Sequence, residues 1–176
     1  FMLGIPDYET TFVYTTDEIV SLCHSLAKEV IGKTIECSWV AILRSDKRWL
    51  EGLPIILRIG NNSHEICWMK FSDLSITRNL INADQPFNWM DSEDEELLCD
   101  WKKDSLPVLQ KVIGQSIMNI KVLEARHSFG DNHTWLPNGI EFILSSGHLS
   151  IFNSLDENGV SIDKLEGEFF RFIEVA

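Results

Sequence analysis

Apolar positions near the start of the chain repeat with the period of an amphipathic helix. Between residues 19 and 30 they follow the spacing i, i+3, i+4, i+7 and i+11, which places them on one helical face. They are Ile19, Leu22, Cys23, Leu26 and Val30. Thr15 and Glu18 have the spacing of a capping box, in which each side chain binds a free backbone N–H of the first turn. The pattern predicts a helix that begins after Thr15 and stops at Gly32, a typical left-handed terminator.

A second helix is predicted where acidic residues are densest. Ser92 and Glu95 repeat the capping-box spacing. The predicted apolar face contains Leu97, Leu98 and Trp101. Pro107 lacks a backbone N–H, so we expect it to divide this helix into two pieces, the second of which ends at Gly114.

Segments rich in β-branched and aromatic residues follow each helix and predict strands. The predicted strands cover residues 34–44, 53–59, 65–71, 115–124, 140–144, 148–153 and 168–175. Turn signals at residues 60–62 and 146–147 join two pairs of these strands into hairpins. Residues 156–159 predict one more turn, in which Gly159 supplies a positive φ.

The two halves of the chain also resemble each other in sequence. The sequence VIGKTI at residues 30–35 returns as VIGQSI at residues 112–117, and a Trp-Leu pair follows each copy, at residues 49–50 and 135–136. An apolar stretch with an internal turn comes next in both halves. Because these matches keep their order, they favour an internal duplication over coincidence.

These elements predict an α+β fold of two tandem helix-strand-hairpin repeats with antiparallel sheet. The first repeat covers residues 1–80, a linker covers residues 81–90, and the second repeat covers residues 91–176. A half of about 85 residues leaves much apolar surface exposed, so we expect the two repeats to pack as one compact body.

Charge narrows the classes of partner. The 176 residues carry 15 Lys and Arg against 27 Asp and Glu, a formal charge of −12. Residues 1–88 hold eight basic and eleven acidic side chains, whereas residues 89–176 hold seven and sixteen. Such a balance argues against nucleic acid, whose phosphates require clustered cations, and against anionic membranes. It favours a basic protein partner, or it serves solubility alone.

Several patterns bear on the compartment. No apolar run approaches the ~20 residues of a membrane-spanning helix, and the first residues do not resemble a secretory signal. The cysteines stand in apolar surroundings without a paired spacing, as buried thiols do in a reducing compartment. They are Cys23, Cys37, Cys67 and Cys99. We therefore expect a cytoplasmic protein.

Candidate chemistry is sparse. The Gly-Lys-Thr at residues 32–34 lacks the upstream glycine and the strand-then-helix context of a phosphate-binding loop, and we predict no cofactor. His127, Asp131 and His133 could bind a metal from one polar loop, although a solvated hairpin is the simpler interpretation. His64 and His148 follow turns, and we expect both to be exposed.

Two kinds of residue suggest a protein interface. Trp49 and Trp135 stand in apparently equivalent loops beside polar residues, and aromatic side chains anchor many interfaces. Acidic side chains in the second half could steer a basic partner towards the protein. They are Asp91, Glu93, Asp94, Glu95 and Glu96. Coverage of a sheet end by the tryptophans and simple solvation of the acids remain alternatives.

A helix ending in Val-Ile-Gly-x-x-Ile, then a strand, a hairpin like residues 139–153 and a tail like residues 153–159, resembles small bacterial proteins of unknown function. Some of these are immunity proteins of polymorphic toxin systems. The resemblance implies a small cytoplasmic protein, not an enzyme, that blocks a basic toxin domain by binding it. A metal- or small-ligand-binding enzyme that uses His127, Asp131 and His133 is one alternative. A homodimer formed through a sheet edge is another.

Overall fold

The computed structural model describes residues 2–175, which form two antiparallel sheets and two α-helices. The elements are α1 (Thr16–Val30), β1 (Ile35–Leu43), β2 (Ile55–Ile59), β3 (Asn62–Met69), β4 (Asp73–Arg78), β5 (Phe87–Asn88), β6 (Leu98–Lys103), α2 (Pro107–Gln110), β7 (Ile117–Phe129), β8 (Asn132–Leu144), β9 (Gly147–Asn153), β10 (Asn158–Ser161) and β11 (Phe170–Glu174). The first sheet has the order β4-β3-β2-β1-β6-β5, and the second has the order β10-β9-β8-β7-β11. The mixed α+β class and the antiparallel pairing are confirmed, although strand outweighs helix.

Helix α1 begins with the predicted capping box. The Glu18 backbone N–H donates to Thr15 Oγ1 at 3.2 Å, and the Thr15 N–H donates to Glu18 Oε1 at 3.3 Å. Its buried face consists of Ile19, Cys23, Leu26, Ala27 and Val30. Gly32 follows with a φ of +87°, a conformation that glycine adopts without steric cost. No helix within residues 2–175 is long and apolar enough to cross a membrane.

The second predicted helix is wrong over most of its length. Two short 3-10 helices, Trp89–Asp91 and Glu95–Leu97, replace its start, and strand β6 replaces the predicted apolar face. Cys99 and Trp101 are buried between more exposed neighbours, which is the two-residue period of a strand. Pairing with β1, in which Leu43 lies opposite Cys99, completes the strand. Pro107 begins the four-residue helix α2 instead of breaking a longer one.

The other strands agree with their patterns more closely. Strands β1, β2, β3, β7, β9 and β11 lie within or beside the predicted segments. Strand β8 is longer than expected because its first residues continue the β7–β8 hairpin beyond the sheet. The short outer strands β4 and β10 did not appear in the prediction.

One large core lies between helix α1 and the inner faces of both sheets. Buried residues of β2 and β3, such as Ile55 and Trp68, belong to the same cluster as Phe142 of β8 and Ile151 of β9. The Trp68 indole N–H donates to the Ile151 carbonyl at 3.0 Å, which satisfies the polar end of this buried ring. A second cluster covers the other face of the first sheet and includes Ile5, Tyr8, Ile56, Phe87 and Trp101.

Residues 32–35 and 114–117 meet as an antiparallel bridge centred on Thr34 and Ser116. Gly32 N–H donates to the Ile117 carbonyl at 2.8 Å, and Gly114 N–H donates to the Ile35 carbonyl at 2.8 Å. The Ile35 N–H donates to the Gln115 carbonyl at 3.0 Å, and the Ile117 N–H donates to the Lys33 carbonyl at 2.9 Å. The four bonds are therefore symmetric: each bond from residues 32–35 to residues 114–117 has an equivalent bond in the opposite direction.

Candidate functional site

The predicted acidic residues lie on an exposed segment between β5 and β6. We call residues 91–96 the acidic segment; its five carboxylate-bearing residues are all exposed. None of them forms an ion pair with another residue in the 2–175 range. The second 3-10 helix is capped by Asp94, whose Oδ1 accepts from the Glu96 N–H at 2.9 Å. Their role in partner binding stays a prediction.

Trp135 is not in a loop but in strand β8, opposite Arg126 of β7. Residues 126–135 form the end of the β7–β8 hairpin, and we call them the hairpin arm. The Arg171 guanidinium of β11 lies 4.4 Å from the centre of the Trp135 ring, a cation–π distance. One face of this ring is therefore occupied by the chain itself.

Trp49 lies in the middle of the long β1–β2 connection and is bridged to Ile42 of β1. The ring is half-buried against the main core. Its indole Nε1 is buried, and no described residue accepts its hydrogen. The two tryptophans thus occupy different environments, and the prediction that their loops are equivalent is wrong.

Trp49 lines a cavity of about 370 Å³, which we call the cleft. The lining residues are Arg48, Trp49, Leu50, Glu51, Gly52, Trp89, Leu155, Asp156 and Glu157. They come from three connections: β1–β2, the first 3-10 helix, and β9–β10. Trp89 is separated from the acidic segment by Met90 alone, so the cleft and that segment are adjacent along the chain.

Two buried asparagines hold the walls of the cleft together across the two sheets. Asn158 Oδ1 accepts from the Trp68 N–H at 2.7 Å, while its Nδ2 donates to the carbonyls of Glu51 and Leu53 at 2.9 and 3.0 Å. Asn153 Nδ2 donates to the Lys70 carbonyl at 2.8 Å. Since buried polar groups are costly when unpaired, these amides fix the β9–β10 connection against the first sheet.

The β9–β10 connection itself is strained. Leu155 and Asp156 have φ values of 56° and 72°, in the left-handed region that favours glycine. Gly159, for which the sequence predicted a positive φ, instead lies in β10, where the Phe152 ring leaves no space for a Cβ. The strained turn leaves the Leu155 side chain 90% exposed beside the cleft. Exposed apolar side chains and strained backbone are both common at binding sites.

The cleft is acidic. Glu51, Asp156 and Glu157 contribute three carboxylates against one cation, Arg48. Arg48 lies 4.0 Å from Asp46, outside the cleft, so its charge is shared with that residue. A hydrogen bond to Glu157 raises the pKa of Glu51, because it favours the protonated carboxyl, and repulsion between the two negative charges adds to the effect.

The alternative metal site is not assembled. His127 pairs with Thr134, and His133 pairs with Ser128. Because successive residues of a strand point to opposite faces, His127 and His133 lie on opposite sides of the hairpin arm. Ser128 Oγ lies 3.0 Å from His133 Nδ1. Within the part of the chain that the structure covers, no three His, Cys, Asp or Glu residues are placed to share a metal ion.

The two histidines that follow turns in the sequence have structural surroundings. His64 is 2% exposed rather than exposed as predicted, and burial lowers its pKa. His148 is half-buried, and its Nδ1 lies 2.7 Å from Glu141 Oε1. Ser150 also donates to Glu141. Because the serine hydroxyl donates to the carboxylate and not to the histidine, this group lacks the nucleophile–base contact of hydrolases.

The cysteines are buried free thiols, as predicted. Burial raises the pKa of Cys23 and Cys67 to about 12 and that of Cys99 to about 11. A thiol must lose its proton to act as a nucleophile or metal ligand, and the raised pKa values of these three thiols disfavour that loss at neutral pH.

Comparison of the chain with protein-family models, curated proteins and solved structures gives no significant match. The interpretation of the site therefore depends on the residues of this chain. Sequence reasoning identified Trp49 and the acidic segment, but it missed Glu51, Trp89, Leu155 and Glu157. The polar turn composition of residues 153–159 is a local signal for Leu155 and Glu157 only.

Proposed function

We propose that this chain is a binding protein, not an enzyme, that captures a basic protein partner. Its most concrete form is an immunity protein that neutralises a basic toxin domain in the cytoplasm. The observation that carries the proposal is the set of exposed carboxylates on the acidic segment, none of which forms an ion pair within residues 2–175, together with the acidic cleft that adjoins this segment along the chain. Unpaired carboxylates on an exposed surface attract a basic partner over a distance and accelerate its capture.

The composition of this surface supports the proposal further. Trp49 and Trp89 provide half-buried aromatic rings, and Leu155 and Met90 provide apolar side chains that are 90% and 64% exposed. Protein interfaces combine aromatic anchors and apolar contacts with a charged rim. The hairpin arm supports metal or small-ligand chemistry less well, because its two histidines lie on opposite faces.

We also propose that the two halves descend from one duplicated unit. Each half contains a helix followed by four strands, and the sheet orders β4-β3-β2-β1 and β10-β9-β8-β7 correspond. The exchangeable hydrogen bonds between residues 32–35 and 114–117 have the pattern expected at a pseudo-two-fold axis. Under this proposal β5, β6 and β11 are additions to a common core.

The test uses the protein as bait in lysate of its source cells, with recovery of what stays bound after a moderate salt wash. We expect one stoichiometric basic protein that is toxic when it is expressed alone. Its association rate should fall steeply with rising salt. Recovery of a second copy of the chain would instead support a homodimer, and recovery of no basic protein by folded bait would contradict the proposal.

A variant of the acidic segment sharpens this test. The substitutions Glu93→Gln, Asp94→Asn, Glu95→Gln and Glu96→Gln remove four charges, and the asparagine keeps the oxygen that caps the second 3-10 helix. We expect the association rate to fall about tenfold or more at low salt, with little change in melting temperature. The matched control carries Asp131→Asn, Asp163→Asn, Glu166→Gln and Glu168→Gln, four exposed acids outside the acidic segment. Equal slowing by both variants would show that only net charge matters.

A further inference from the structure

We infer that the cleft is a socket for an arginine side chain of the partner. This inference rests on the proposed function and deepens it, since it names the chemical group that the acidic surface recognises. Three observations point to a guanidinium: the tryptophans of the cleft, its carboxylates and its size.

The tryptophans divide into two classes by what covers their rings. Four are half-buried: Trp39, Trp49, Trp89 and Trp135. Trp39 is covered by Arg58 at 5.2 Å and by Lys103 at 5.9 Å, and Trp135 is covered by Arg171 at 4.4 Å. Among residues 2–175 no cation lies over Trp49 or Trp89. The two rings without an internal cation are the two that line the cleft.

The carboxylates supply the complementary charge. Glu51, Asp156 and Glu157 leave the cleft with an excess of two acids over its single cation, Arg48. The side chain of Arg48 is 62% exposed and is shared with Asp46, so it does not neutralise the cleft. A guanidinium is flat, stacks on aromatic rings and forms paired hydrogen bonds with carboxylates, whereas an ammonium acts as a point charge. The combination therefore favours arginine over lysine.

The cleft is large enough to admit an arginine side chain. Its volume of about 370 Å³ is near the lower end of the ~300–1,000 Å³ of small-molecule sites. The backbone of the socket is held in place before binding by Asn153 and Asn158, which reduces the cost of ordering it.

The raised pKa of Glu51, whose first cause is a hydrogen bond to Glu157, adds a dependence on pH. A bound cation favours the ionised form of Glu51, so arginine binding should release the proton of this carboxyl. Affinity should then rise with pH as Glu51 deprotonates. Arg48 and Asp156 also line the cleft beside these two residues, and Asp156 accepts a hydrogen bond from the Lys70 N–H.

The test titrates the protein with N-acetyl-arginine amide and follows the indole N–H signals of Trp49 and Trp89 by NMR. N-acetyl-citrulline amide is the neutral isostere. We expect a saturable shift with arginine at millimolar concentration, stronger at pH 7.5 than at pH 4.5, and no saturable shift with citrulline. The double variant Glu51→Gln/Glu157→Gln should weaken arginine binding about fivefold, the effect of losing exposed charge contacts. The control variant Glu166→Gln/Glu168→Gln, which removes two acids elsewhere, should bind as the unmodified protein does.

Equal responses to arginine and citrulline, no response at either tryptophan, or arginine binding that is unchanged in Glu51→Gln/Glu157→Gln would each overturn the inference. The probe is a free amino-acid derivative, so the result is independent of the bait experiment. Capture of a basic protein without arginine binding would contradict the arginine socket and support the proposed function. Arginine binding without capture of any protein partner would support the socket and contradict the proposed function.

Discussion

Trp49 and Trp135 begin matching Trp-Leu pairs in the two similar halves of the sequence, yet the fold gives them different surroundings. Trp135 lies in a strand, and Arg171 from the neighbouring strand β11 covers its ring. Trp49 lies at the edge of a cleft that is lined by carboxylates and contains no cation above the ring. A tryptophan that finds a cation within its own chain has a structural role, whereas one that faces an acidic cavity remains available to a partner.

The cleft is also held more firmly by the rest of the fold than the hairpin arm is. The walls of the cleft are fixed by the buried amides of Asn153 and Asn158, which bind backbone groups of the other sheet. The hairpin arm extends beyond the sheet, and its tip around Gly130 is exposed. A rigid, charged cavity is a better starting point for recognition than an exposed arm, because less ordering is required on binding.

The largest expected effect comes from removing the support of the cleft. Asn158→Ala leaves the Trp68 N–H and the Leu53 carbonyl without their amide partners in a buried position. Each unsatisfied group costs ~1–3 kcal/mol, so we expect the free energy of unfolding to fall by about 3 kcal/mol. Urea denaturation followed by far-UV circular dichroism measures this change. The matched control is Asn132→Ala at the exposed tip of the hairpin arm, for which we expect a change within about 0.5 kcal/mol.

If Asn158→Ala were as mild as Asn132→Ala, the connection between the sheets would not depend on this amide. Asn158 would then not be what holds the cleft in place before binding.

A smaller effect is expected in double-mutant cycles that compare the two tryptophans directly. A double-mutant cycle of Trp135→Ala and Arg171→Ala should give a coupling free energy of about 0.5–1 kcal/mol, the usual range of an exposed cation–π contact. The same cycle with Trp49→Ala and Arg48→Ala should give a coupling close to zero, because Arg48 is not placed over that ring. Thermal or urea unfolding of the four variants in each cycle supplies the values. Similar coupling free energies in both cycles would contradict the view that a cation covers the Trp135 ring and not the Trp49 ring.

Parts of this arrangement could be predicted from local sequence. Helix α1 was predictable because its apolar spacing and its capping box agree. The exposure of the acidic segment was predictable because five carboxylates within six residues are seldom buried. Strand β6 was not, because Leu98 and Trp101 suit both a helical and an alternating pattern. Pairing with β1, which is remote in sequence, decides between the two patterns.

The cleft could not be predicted for a related reason. Its residues come from three segments, at 48–52, at 89 and at 155–157, and each segment alone resembles an ordinary turn. The buried asparagines that bring them together look like turn residues in the sequence. Only the packing of the two sheets places the carboxyls of Glu51 and Glu157 beside each other.

The smallest effect concerns that pair of carboxyls. Because the pKa of Glu51 is raised above its ordinary value of 4.5, the folded protein keeps a proton that the unfolded chain releases. Stability should therefore fall slightly as pH rises from about 4.5 through the raised pKa. Glu157→Gln removes the repulsion and places an amide donor beside the Glu51 carboxylate, so the pKa of Glu51 should fall. Carboxyl carbon shifts in an NMR titration measure it, with Glu166→Gln as the control. An unchanged pKa of Glu51 in Glu157→Gln would show that Glu157 does not raise it, and the cleft would then lack the coupling between carboxyls on which its expected dependence on pH rests.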